Sequence, residues 1–149
     1  MTAISFYHLR HQPLSHALPK LLEKVQEAGL KAVIKVGSEK HMAELDEALW
    51  TFTSQSFLPH GTIKSKFLDQ QPLLLTTADE NPASATVLVL VDNMESDQMD
   101  AYDRCLEMFD GADDDAVTAA RVRWKTYKDA GHDVTYWQQT PQGGWTKKA

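Results

Sequence analysis

The stretch Thr86-Val-Leu-Val-Leu-Val91 constrains this chain more than any other, because after the threonine no position is polar. A strand with one wet face alternates apolar and polar residues, whereas a strand covered on both faces is apolar throughout. This run therefore reads as a central strand of a sheet with helices on each side, and it is far too short to cross a bilayer.

The segments around it follow the same plan. Ala3–Leu9, rich in aromatic and β-branched residues, reads as a first strand. After Pro13 a helix is expected, with Leu14, Leu18, Leu21, Leu22 and Val25 at helical spacing, Pro19 in its first turn and Gly29 as its stop. Lys31–Val36 is a second strand ended by Gly37, and Ser38 caps a helix to Trp50 with Met42, Leu45 and Leu49 facing inward. Periodicity is lost from Thr51 to Gln71, where Pro59 and Gly61 indicate a long connection carrying Ser56-Phe-Leu-Pro-His60. Pro72–Thr76 is a further strand, Cys105–Phe109 alternates like one, and Asp97–Asp103 follows neither pattern. Asp113-Asp-Asp115 caps a helix continuing to Ala130 before Gly131, and Asp133–Trp137 is a final strand before a polar tail. The expected fold is a three-layer α/β sheet flanked by helices, one domain over residues 1–149.

Composition narrows the function. With 15 Lys+Arg against 21 Asp+Glu the net charge is -6, which argues against a surface that coats nucleic acid and leaves only a local basic patch for anions. Cys105 is the one cysteine, so no internal disulfide forms and a reducing, cytoplasmic setting is expected. The opening MTAISFYHLRHQPL offers no apolar run of signal-peptide length.

An α/β order invites a search for phosphate-binding turns. The first strand-to-helix turn, His8-Leu-Arg-His-Gln-Pro13, has no glycine, and Gly37-Ser-Glu-Lys40 matches neither the dinucleotide nor the Walker pattern. No cofactor and no nucleotide catalysis are expected. His8, His11 and His16 lack a fourth ligand and read as surface histidines, Asp113–Asp115 as a helix cap, and Cys105 as a buried, inert thiol. Neither a metal site nor a catalytic residue is assigned, and no nucleophile-elbow motif is present.

One segment departs from this plainness. Ala120-Arg-Val-Arg-Trp-Lys-Thr-Tyr-Lys128 carries four positive charges and no negative one. On a helix Arg121, Lys125 and Lys128 form one stripe with Trp124 beside it, while Arg123 points elsewhere, so replacing Arg123 is expected to be nearly silent for binding at that stripe. Such a flank suits an acidic peptide with an apolar end; it equally suits a solvated helix face with the indole packed on the sheet.

With Phe6-Tyr7, Leu45-Asp-Glu-Ala-Leu-Trp50, Ser56–His60, Ala120–Gly131 and Tyr136, the chain resembles the chi subunit family of the bacterial DNA polymerase III clamp-loader complex. The resemblance implies a fold related to nucleotide-binding domains without the nucleotide site, and an accessory subunit rather than an enzyme. It implies binding of the acidic, phenylalanine-ending tail of single-stranded DNA-binding protein, with Arg121, Trp124 and Lys125 in the tail pocket. Val117 stands where a relative can be basic, and Lys128 adds a further cation. Phe57 falls on the position that faces a psi subunit, and DNA is reached only indirectly. A degenerate nucleotide-dependent enzyme and a direct DNA-binding module are the alternatives to be tested.

Overall fold

The computed structural model describes residues 2–51, 61–62, 72–81, 84–96, 98–142 and 144–148. In chain order the elements are β1 (Ala3–Leu9), α1 (Leu14–Glu27), β2 (Ala32–Lys35), α2 (Glu39–Thr51), β3 (Gly61–Thr62), β4 (Leu73–Thr76), β5 (Val87–Leu90), β6 (Arg104–Asp110), α3 (Asp114–Asp129), β7 (Asp133–Gln139) and β8 (Trp145–Lys147). The strands form one sheet of order β3-β4-β2-β5-β6-β1-β7-β8. All neighbours run parallel except β7 and β8, which pair antiparallel. Every residue of β2, β4 and β5 is buried, the terminal Lys35 and Thr76 included, as the apolar runs Ala32–Ile34, Leu73–Leu75 and Val87–Leu90 require.

Alternation divides the interior into two layers. Ala32, Ile34, Val87, Val89, Leu106 and Met108 meet α1 and α2 on one face. Ile4, Phe6, Val33, Leu88, Leu90, Cys105 and Phe109 meet Ala120 of α3 on the other. The helices thus flank the sheet on both sides, in the three layers expected. α1 carries the chain from β1 toward β2, and α3 carries it from β6 toward β7, in opposite directions on opposite faces. Adjacent β1 and β6 therefore mark a topological switch point.

Local signals behave as their chemistry dictates, with three differences. Ser38 Oγ accepts from the His41 N–H at 3.1 Å, and Asp113 accepts from the N–H groups of Asp115 and Ala116 at the start of α3. Gly29 and Gly131 take positive φ directly after α1 and α3. Pro19, however, lies in the second turn, because α1 starts immediately after Pro13; the helix forgoes one i→i−4 bond there and buries the ring. Within the aperiodic connection, Gly61–Thr62 adds a short parallel strand to β4. In the polar tail, Trp145–Lys147 folds back on β7 as β8. Asp97–Asp103 contains one 3-10 turn, Met99–Ala101. No helix among the described residues is long and apolar enough to cross a membrane.

Candidate functional site

The basic stripe sits on α3, whose acidic first turn and Lys128 in its last turn both complement the helix dipole. Ala116, Ala120 and Arg123 form the buried side of this helix. The 100° step then places Val117, Arg121, Trp124, Lys125 and Lys128 together along one flank. Arg121, Lys125 and Lys128 are exposed. Val117 and Trp124 are half-buried and pack on the same cluster as Val134 and Tyr136, so the flank overlooks β7. The Trp124 indole N–H is buried and has no acceptor among the described residues, and Lys128 Nζ stands 4.6 Å from the centre of its rings, a cation–π distance.

Two groups on the sheet complete the surroundings of Arg121. His8 Nδ1 and Tyr136 Oη lie 2.6 Å apart. Burial lowers the His8 pKa, and the charges of Arg10 and Arg121 lower it further. Burial raises the Tyr136 pKa, with Arg121 pulling the other way. His8 is therefore no surface histidine, since its ring also meets Phe109. The imidazole comes so close to Gly111 that no side chain fits at that position. His11 and His16 are exposed, and no three His, Cys, Asp or Glu residues among those described gather as a metal site.

On its outward side α3 bears a shallow hollow of about 490 Å³ lined by Thr118, Arg121, Val122, Lys125, Thr126 and Asp129. Val122 is 62% exposed, the one large apolar residue so exposed among those described. Arg121 and Lys125 thus have an apolar surface on each side: the indole toward the sheet and Val122 toward solvent. This arrangement can pair carboxylates while an apolar group is desolvated next to them. Sequence periodicity found the cations and Trp124; Val122 and the Tyr136–His8 pair were missed, because a lone valine and two distant strand residues carry no local signal.

Arg123 does point elsewhere, but it is 6% exposed and far from idle. Its Nε donates to Glu107 Oε1 at 2.6 Å and its Nη2 to Asn93 Oδ1 at 3.2 Å. Burial pushes the Glu107 carboxyl up to about 7, opposed by the Arg123 charge and hydrogen bond. Replacing Arg123 would strand this carboxylate and cost stability, whereas the silence expected of that substitution concerns peptide binding alone. Cys105 is the buried thiol expected, its pKa raised well above the usual value by burial.

At the switch point, a cleft of about 570 Å³ opens between the ends of β1, β5 and β6 and the starts of α1, α2 and α3. Ligands of open α/β sheets bind in such a crevice, on the amides of the turn after β1. Here the N–H groups of Arg10, His11 and Gln12 all donate to the side-chain carbonyl of Gln139, at 3.1, 2.9 and 2.9 Å. The chain's own amide occupies the place where a phosphate oxygen would accept. Phe57 lies outside the described residues.

An α/β domain of nucleotide-binding-like topology, its first turn filled from within and its last helix basic and aromatic, is the class these features define. The chain belongs to the DNA polymerase III chi subunit (HolC) family, whose model matches residues 1–135. A probable DNA polymerase III subunit chi from Rickettsia prowazekii (strain Madrid E) is 34% identical over 94 residues, covering 61% of this chain. The match spans about half of that relative, 55% of its length.

Proposed function

We propose that this protein is a non-catalytic accessory subunit in DNA replication that captures the acidic C-terminal tail of single-stranded DNA-binding protein on α3 and links it to the clamp loader. The carrying observation is the α3 flank itself, with three exposed cations beside a half-buried indole in a chain of net charge -6. Arg121 and Lys125 hold the tail's carboxylates, with Lys128 as a further cation. The terminal phenylalanine ring is desolvated against Trp124 and Val117. Phe57 is the proposed contact to a psi subunit, carried over from the family alone. The nucleotide-dependent reading is disfavoured by Gln139, which already uses the amides such a ligand needs.

The test is a titration with a synthetic acidic peptide ending in Pro-Phe, followed by tryptophan fluorescence. A dissociation constant on the order of micromolar is expected, since a small interface must offset the ordering of a flexible tail. Arg121→Ala and Lys125→Ala should each weaken binding by about 1 to 3 kcal/mol, the scale of a lost charge-assisted contact. Lys40→Ala, in an exposed position on the helix layer opposite α3, should leave it unchanged. A peptide without the final phenylalanine that binds equally well would refute the pocket.

A further inference from the structure

The opposite face of the sheet carries a second basic and aromatic surface that the tail-binding reading does not use. On that face α1 contacts β6, and α2 contacts β3 and β4, so both helices run away from β7 and β8. The side chains that β1, β7 and β8 present beyond them form a groove of about 380 Å³ against the flank of α1.

Register explains why aromatic residues gather there. Tyr7 is the parallel partner of Trp137, so the two rings share a face. Trp137 pairs in turn with Lys147 across the antiparallel ladder, and Gln139 pairs with Trp145, which places Trp145 one step along the same face. Tyr7 and Trp145 meet edge to face at 4.9 Å, and the Trp137 indole N–H is fixed by donating to Thr135 Oγ1 at 3.1 Å. Across the groove stand Lys20 and Lys24, exposed and one helical turn apart. Among the described residues no carboxylate lines it.

We infer that this groove binds single-stranded nucleic acid, with a base stacked among Tyr7, Trp137 and Trp145 and successive phosphates met by Lys20, Lys24 and Lys147. Flat rings accept any base, and lysine ammonium groups serve as point charges along a phosphate chain. Among the described residues the groove has no guanidinium fork of the kind that suits a carboxylate, which α3 does offer through Arg121. That contrast favours nucleic acid here and a peptide there. The acidic balance of the whole chain keeps the binding weak and local.

The experiment is an anisotropy titration of the full chain with a labelled oligothymidylate of about 12 nucleotides at about 50 mM salt. A dissociation constant on the order of 10 to 100 µM is expected from a few contacts. Three phosphate contacts predict an affinity loss of about 20-fold between about 50 and 200 mM salt. Lys20→Glu with Lys24→Glu should weaken the oligonucleotide about tenfold or more, while leaving capture of the acidic peptide unchanged. Trp145→Phe keeps a ring in place and should weaken the oligonucleotide by only a few-fold. Arg121→Ala with Lys125→Ala should do the reverse of the lysine reversals, removing peptide capture and sparing the oligonucleotide. Absence of saturable oligonucleotide binding would overturn the inference. So would equal losses from the α1 and α3 substitutions, and so would an acidic peptide whose binding depends on Lys20 and Lys24. Because peptide capture is read separately, failure of the groove leaves the α3 reading standing.

Discussion

On the α3 face of the sheet a guanidinium and a carboxylate are buried together, Arg123 Nε at 2.6 Å from Glu107 Oε1, and each would be stranded without the other. On the α1 face the polar tie is neutral, the Gln139 carbonyl accepting from three consecutive amides of the β1–α1 turn. The first joins two consecutive elements, β6 and α3, whereas the second joins the two ends of the chain, β7 and the turn after β1. They differ in how they fail: a buried charge has no cheap alternative, whereas turn amides that lose an acceptor can be met by water. The comparison separates the residues that hold each face from those left free to bind.

The largest expected effect is that of Arg123→Ala. Breaking one side of a buried ion pair typically costs about 3 to 5 kcal/mol, and both partners are almost fully enclosed here. Chemical denaturation should show this loss, in contrast to Arg121→Ala, two residues away and exposed, whose stability should be nearly that of the parent. The pH dependence follows from Glu107, already pushed up to about 7 by burial with Arg123 opposing. A carboxyl raised in the folded state contributes stability that is full below its unfolded value and is lost as pH rises through the folded value. Removing Arg123 raises that folded value further, so the gap between variant and parent should stay level from about pH 5 to about pH 6 and widen as pH rises through about 7 toward about 9. A uniform gap across this range would mean that the pair is not what ties α3 to β6.

A smaller effect is expected on the other face. Gln139→Ala leaves three amides without their acceptor and should lower stability by about 1 to 3 kcal/mol. Gln139→Glu sharpens the comparison, because it keeps the shape and adds a negative charge where three N–H groups converge. The carboxylate should be held by charge-assisted bonds, making this variant at least as stable as the parent at neutral pH and less so on acidification. A Glu variant as damaged as the Ala variant at neutral pH would show that the turn is no anion nest.

These two ties also mark the limit of what the sequence discloses. The covered strands, the three helices, the Asp113 cap and the Arg121–Lys128 stripe were legible, because each is written in adjacent residues or in a period of two or 3.6. Gln139 lies more than a hundred residues from the amides it satisfies, and Arg123 looked like one more surface cation until β6 placed Glu107 beneath it. The absence of glycine in the first turn was visible, but not that a side chain from β7 fills it. β8 was missed for a related reason: a short strand in a polar tail shows its purpose only through its partner, Trp137 opposite Lys147.

The smallest expected effect concerns Lys128, which has two possible occupations. In the free protein its ammonium stands over the Trp124 ring, 4.6 Å from the centre, and it lies in the last turn of α3 where a cation complements the helix dipole. Each contact is worth about 0.5 to 1 kcal/mol at an exposed site. Lys128→Met loses both contacts and should therefore reduce stability by about 1 to 2 kcal/mol, and Lys128→Arg, which preserves both, should not. A tail whose terminal ring stacks on Trp124 must share that indole with Lys128 or displace it, so part of the gain from the lysine's charge is offset by the contact it gives up. Peptide affinity should accordingly fall less in Lys128→Met than in Arg121→Ala, whose guanidinium stacks on no ring among the described residues. A loss at Lys128 equal to that at Arg121 would place the carboxylates at the C-terminal end of α3 and the ring away from Trp124, over Val122 instead.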